Sequence, residues 1–308
     1  MTARARVILD NDFGGDPDGL FQLAHHLLSG SVDVRLVIAS KIPDSFSEFD
    51  PGVVARGVAS ADRVLQMLGR SEHAIAGSES GLRQNVLPPL DDAARAIIDE
   101  VMREDTDIPL FYCAGGGLTA LATALLHEPR VAQRLTLVWI GGPGYDDASV
   151  RGGASVPAEF NTTIDPVAAG VVFSSPIEIW QVPETTYAQC LVSWAELDRS
   201  VAPLGPLASH LVGTLREFAD RFSGMLGLEL GETVVLGDSP LVLLTALRGP
   251  FHAEPSSSPS HWRTRRTVTP DAQYGDVIDE RPPVRVFTGI DMRLMIGDMI
   301  AKLAGAGT

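Results

Sequence analysis

Short apolar runs rich in β-branched residues alternate with helix-like segments, and this alternation constrains the fold more than any other feature. The runs are RVILD (6–10), VRLVIAS (34–40), IPLFYCA (108–114), LTLVWIGG (135–142) and IEIWQVP (177–183). Nearly continuous apolar runs of this length read as strands buried on both faces, the pattern of a parallel sheet. Between them lie GLFQLAHHLLSG (19–30), VVARGVASADRVLQMLG (53–69), LTALATALLHEP (118–129) and DPVAAGVVFSSP (165–176). Each has helical spacing and closes at or near a Gly or Pro. The alternation predicts a doubly wound α/β sheet. A last strand and helix are expected in VRVFTGIDMRLMIGDMIAKL (284–303). The 308 residues are expected to form one domain, 1–308. From Gly249 to Pro283 the chain is dense in Pro and Ser and reads as a long loop or lid, 249–283, with Arg263, Arg265 and Arg266 on a solvated surface.

A formal net charge of −15 argues against binding nucleic acid or anionic membrane through the bulk surface. A small-molecule partner is expected instead. No apolar run approaches bilayer length, and MTARARVILDND carries no signal-type apolar region, so a cytoplasmic location is expected. Cys113 and Cys190 are too few for a disulfide framework and read as buried thiols. His25 and His26, adjacent on a helix, diverge by about 100° and read as structural. Phe218, Phe222 and Met225 read as core at helical spacing.

In a doubly wound sheet ligands bind beyond the carboxyl ends of the strands. There the chain reads DNDFGGDPD, AGGG, GGPG and PETT after the first, third, fourth and fifth runs. Asp10, Asp12, Asp16 and Asp18 crowd into nine residues, where unneutralised carboxylates raise one another's pKa values. A hard cation, Ca²⁺ or Mg²⁺, relieves that repulsion through oxygen ligands, whereas Zn²⁺ would normally bring His or Cys. Asp16 before Pro17 also reads as a helix N-cap, which accounts for one aspartate and leaves the others for metal or catalysis. AGGG lacks the Lys and Ser/Thr of a phosphate-binding loop.

The run ILDNDFGGDPDGLFQL resembles the N-terminal motif D-x-D-x-G-x-D-D-A-x-x-L of the nucleoside hydrolases, with Pro17 splitting the final pair. AGGGLTALATALLHEP (114–129), VWIGG (138–142), AEFNTTIDPVAAGVVF (158–173) and LGDSPLVLL (236–244) are similar to later segments of that family, in the same order. The E-F-N-x-x-x-D-P-x-A-A match is the most specific. The resemblance covers essentially the whole chain, looks like a divergent branch of the inosine-uridine preferring type, and implies a Rossmann-like, mostly parallel sheet flanked by helices.

It also implies roles. Family hydrolases hold one Ca²⁺ with carboxylates and a backbone carbonyl, which map to Asp12, Asp18, Asp238 and the carbonyl of Gly115. Asp12 matches the general base, Asp16 the aspartate that grips the ribose hydroxyls, and Glu159 and Asn161 the side chains that hold the sugar. The implied activity is calcium-dependent hydrolysis of the N-glycosidic bond of a ribonucleoside or related riboside, in a homo-oligomer.

Three departures accompany the match. Gly237 replaces the histidine that assists the leaving base in some members. Lys41 stands near the place of an Asn. Pro17 leaves open which of Asp16 and Asp18 faces the metal. His252, His261 and Tyr274 on the long loop are therefore candidate general acids. Two alternatives stay open: a calcium-dependent sugar- or nucleoside-binding protein without turnover, favoured by Gly237, and a haloacid-dehalogenase-type phosphatase with Asp10 as nucleophile, which leaves EFNTTIDP unexplained.

Overall fold

In chain order the protein runs β1 (Ala5–Asn11), α1 (Asp18–Leu27), β2 (Val32–Ala39), α2 (Asp44–Ser47), α3 (Val53–Met67), β3 (Ile75–Ala76) and α4 (Asp92–Val101). Next come β4 (Leu110–Ala114), α5 (Thr119–His127), β5 (Thr136–Ile140), α6 (Phe160–Ile164), α7 (Pro166–Ser174), β6 (Glu178–Val182) and α8 (Glu184–Tyr187). A small hairpin pairs β7 (Leu191–Ser193) with β8 (Thr233–Val235), and between these strands lie α9 (Trp194–Glu196) and the long α10 (Pro206–Leu226). The chain closes through α11 (Pro240–Thr245), β9 (Ser260–Arg263), β10 (Arg266–Val268), β11 (Tyr274–Val277), β12 (Val284–Phe287) and α12 (Met292–Ala306). This is a computed structural model, and it describes residues 2–47, 51–142, 144, 158–227, 229, 231–249 and 258–307.

Eight strands form one sheet in the order β3-β2-β1-β4-β5-β6-β12-β9. All neighbouring pairs are parallel except β12 with β9. The five apolar runs are all strands of this sheet, which is the doubly wound, Rossmann-like α/β architecture expected from the alternation. Apolar cores cover both faces. One gathers Leu9, Phe21, Leu241 and Met299 around α1, α11 and α12; the other gathers Ile8, Tyr112, Leu121 and Phe173 around α4, α5 and α7. No helix among the described residues is long and apolar enough to cross a membrane.

Four expectations need correction. Within 249–283, the described residues from Ser258 onward carry three short strands: β9 extends the sheet edge and β10 pairs with β11. The run SHWRTRRTV mixes exposed and half-buried positions around one buried arginine, which suits an edge and leaves no apolar period to read. Arg265 is fully buried rather than solvated, donating to the carbonyls of Ser175 at 2.8 Å and Ile177 at 2.7 Å. Its guanidinium satisfies the end of α7 and the turn into β6. Met225 is 58% exposed, and Phe218 stacks on half-buried Phe222 at 5.7 Å, so this end of α10 is not core. Finally, Pro17, not Asp16, is the N-cap of α1, and Asp16 Oδ1 instead accepts from the amide of Asp18 at 3.2 Å.

Candidate active site

The chain winds from β1 through β2 to β3 on one side of the sheet and from β4 through β5 to β6 on the other. The carboxyl ends of β1 and β4 are therefore the switch point, where an open α/β sheet has its crevice. The loop after β1 turns there because the amides of Gly15 and Asp16 both donate to the Asp12 carbonyl, at 2.7 and 2.9 Å. Gly14 makes the turn possible: a Cβ on it would stand 2.1 Å from the Val53 carbonyl oxygen of α3. Gly115, just past β4, is hemmed in likewise, since a Cβ would meet Asn11 Nδ2 at 2.4 Å and Asp238 Cγ at 2.6 Å.

Asp238 comes from the turn before α11. Its amide donates to Asp18 Oδ2 at 3.1 Å, and its own Oδ2 accepts from Asn11 Nδ2 at 2.8 Å. The helix starting at Asp18 and the turn carrying Asp238 are thereby joined across 220 positions of sequence. Asp12 differs from its neighbours, because both of its carboxylate oxygens are buried with no hydrogen-bond partner. Burial, followed by the charges of Asp16 and Asp18, pushes Asp12 well above the usual carboxylate range. Asp16 and Asp18 rise through burial and then through Asp18 and Asp238 respectively, and Asp238 through burial and Asp16. Burial lifts Asp10 to about 7 even though the Tyr112 hydroxyl donates to its Oδ2.

Buried carboxylates that raise one another call for a cation, and the donors are all hard oxygens. Asp12, with two unpartnered buried oxygens, and Asp18 and Asp238, hydrogen-bonded to each other, fit Ca²⁺ or a similar ion. Gly115 packs closely against Asp238 and Asn11, and its carbonyl accepts from Asn161 Nδ2 at 3.2 Å. Among the described residues, however, no three His, Cys, Asp or Glu side chains are already grouped as a metal site, so the carboxylates must draw together around an ion to hold it.

A second cluster lies over β5 and β6. Glu159 caps α6 and is buried; its Oε1 accepts from the Asn161 amide at 2.9 Å and the Tyr187 hydroxyl at 2.7 Å. Its Oε2 accepts from the amides of Gly142 and Thr162, at 2.7 and 2.8 Å, and from the Thr162 hydroxyl at 2.7 Å. Asn161 donates its amide protons to the carbonyls of Ile140 at 2.8 Å and Gly115 at 3.2 Å, which ties this cluster to the acidic one. Exposed Phe160 packs against exposed Phe46 at 5.7 Å.

Asp12, Asp16, Asp18, Gly115, Asn161 and Asp238 thus come together at the switch point, with Glu159 behind them. Tyr274 stands at the margin, where its hydroxyl accepts from Gln181 Nε2 at 2.6 Å beside Gly142. His261 is not brought to the site: it is exposed on β9, five strand spacings or roughly 24 Å from β1. His252 lies outside the described residues. Lys41 is buried, its Nζ held by Asp44 at 2.6 Å and the Ile164 carbonyl at 3.2 Å. Asn11 and Tyr187 were not singled out from sequence, since each acts on a partner far along the chain.

The sequence profile of the inosine-uridine preferring nucleoside hydrolases matches residues 7–296, from β1 into α12. The chain belongs to this family. The inosine-uridine preferring nucleoside hydrolase of Leishmania major is 31% identical over 195 residues, 58% of each chain. The pyrimidine-specific ribonucleoside hydrolase RihB of Shigella flexneri serotype 5b (strain 8401) is 28% identical over 168 residues, 52% of each. These matches span little more than half the length of the curated relatives. An inosine-guanosine nucleoside hydrolase shares the fold at a TM-score of 0.72 and 18% identity, covering 98% of this chain and 99% of its own. The purine-preferring ribonucleoside hydrolase from Gardnerella vaginalis does so at 0.71 and 18%, with the same coverage. The phosphatase alternative falls with family membership, and Asp10 is unsuited to attack in any case, being buried beneath Tyr112.

Proposed function

We propose that this protein hydrolyses the N-glycosidic bond of a ribonucleoside or related riboside, with Ca²⁺ bound by Asp12, Asp18, Asp238 and the Gly115 carbonyl. The observation that carries this reading is Asp12, a buried carboxylate at the switch point with both oxygens free of protein donors. Calcium, when bound, supplies an acidified water and a hold on sugar hydroxyls. Asp12 takes the proton of the attacking water as the C–N bond to the base breaks. Asp16, beside Asp18 but not hydrogen-bonded to Asp238, is left to accept from the ribose hydroxyls. Asn161, with both amide protons given to backbone carbonyls, has its carbonyl oxygen as the remaining acceptor for the sugar. Fixing the ring against these groups places the anomeric carbon within reach of the water.

The test is a panel of purine and pyrimidine nucleosides and nucleotides incubated with the protein, with calcium or with a chelator. Reducing sugar should appear with calcium and fall to background in the chelator. Stabilisation by a nucleoside without any sugar release would support the binding-only alternative that Gly237 favours. Asp18→Ala and Asp238→Ala should each lose the ion, read by elemental analysis of the purified variants. Stoichiometric calcium in either would remove that residue from the ligand set and bring Asp16 in for Asp18.

A further inference from the structure

We infer that Tyr187 is the residue this chain sets against the sugar at the place left by Gly237, with Glu159 behind it as an anchor rather than a direct sugar ligand. The inference rests on the riboside reading above. A Cβ on Gly237 would lie 3.3 Å from Tyr187 Cδ2 and 3.5 Å from Asp18 Oδ2. The tyrosine ring thus occupies the room into which a side chain at 237 would grow, next to the acidic loop. Its hydroxyl ends on Glu159 Oε1 at 2.7 Å. A carboxylate offers about four lone-pair positions. Glu159 receives five donors: the amides of Gly142, Asn161 and Thr162 and the hydroxyls of Thr162 and Tyr187. No acceptor position remains on it for a substrate hydroxyl.

The phenol is the open member of the pair. Tyr187 is half-buried while Glu159 is buried. Having given its proton to Glu159, the phenolic oxygen keeps its lone pairs and accepts from a sugar hydroxyl, so a relay runs from sugar to Tyr187 to Glu159. Burial and the Glu159 charge hold the phenol above its ordinary pKa, so it stays protonated for this role. The same commitment makes Tyr187 a poor proton donor to a leaving base. It is a substrate-contacting residue for the sugar and does not replace the missing histidine as an acid.

Four single variants and one double variant of the full calcium-loaded chain test this. Tyr187→Phe keeps the ring and removes the hydroxyl, so KM should rise about tenfold with kcat within about threefold and the fold intact, as expected for one lost ground-state hydrogen bond. Gly237→His should lower the melting temperature because the imidazole meets the Tyr187 ring, and Tyr187→Ala should cost less melting temperature in that background than in wild type. Glu159→Gln, which turns an amide group toward backbone donors, should lower the melting temperature where Tyr187→Phe does not. A KM for Tyr187→Phe within about twofold of wild type, less than one hydrogen bond is worth, would overturn the substrate contact. A Gly237→His protein melting like wild type would overturn the placement of the ring. Should the wild type release no sugar from any riboside, the hydrolase reading falls separately, and the melting series still judges where Tyr187 sits.

Discussion

At the scale of single residues, the proposed hydrolysis turns on Asp12 being buried without a hydrogen-bond donor. A neutral amide there would keep the volume and lose both the charge and the proton acceptor. Asp12→Asn should therefore fold normally and lose about 10²-fold or more in kcat, measured as sugar release, since general-base loss typically costs that much. Retention of more than about a tenth of wild-type turnover would reject the assignment. Gly115 gives a second expectation. A methyl group 2.6 Å from Asp238 Cγ must displace that carboxylate, so Gly115→Ala should weaken calcium binding, read by titration calorimetry, more than it lowers the melting temperature. The aspartates were legible in sequence because they fall within one loop, and Asn161 because it lies in a compact motif. Asn11 and Tyr187 were not: their partners lie 227 and 28 positions away, and no local spacing announces such pairs.

At the scale of elements, α1 and α11 set the distance between Asp18 and Asp238. His26 ties the two helices, its Nδ1 bonded to Gln22 Nε2 at 2.6 Å and its Nε2 to Thr245 Oγ1 at 2.9 Å. Burial pushes His26 down to about 3, so the ring is neutral at physiological pH. His26→Leu would leave Gln22 and Thr245 without that partner in a buried space, at a cost of about 2 kcal/mol. A urea midpoint unchanged from wild type would show that packing alone holds α1 against α11. The adjacent His25 bonds Asp298 of α12 at 2.7 Å, so the pair diverges into two structural contacts, as helical neighbours must. The parallel strands were readable because burial on both faces makes them continuously apolar. The strands β9 to β11 were not, because they are short, mix exposed and half-buried residues without an apolar period, and sit among turn-forming ones. Arg265 misled for a related reason: sequence records its charge and not the two carbonyls that receive it.

At the scale of the whole molecule, a chain of net charge −15 gathers four buried aspartates, Asp10, Asp12, Asp18 and Asp238, and half-buried Asp16 around one crevice, and calcium binding should couple to pH through them. Without the ion, each has a folded pKa above its ordinary value of 3.8, about 7 for Asp10 and well raised for Asp12, Asp16, Asp18 and Asp238. A carboxyl of this kind holds its proton when folded and loses it when unfolded, so folding takes up protons between the two values. The contribution is complete below the unfolded pKa and is lost as pH rises through the folded one, at up to about 1.4 kcal/mol per pH unit for each group. His26 acts in the opposite sense: its folded value lies below its ordinary 6.5, so it removes stability as pH falls from there toward about 3. In the proposed ligand set calcium binds the ionised carboxylates and cancels the penalty that grows with pH. The metal-free protein should melt lower at about pH 8 than at about pH 6, and the gain in melting temperature on adding calcium should widen over the same interval. Calorimetric melts in calcium and in chelator at each pH measure both quantities. A calcium-induced shift that stays constant or shrinks with rising pH would mean that ion binding does not require deprotonation of these aspartates, and the ligand set would have to be sought elsewhere in the chain.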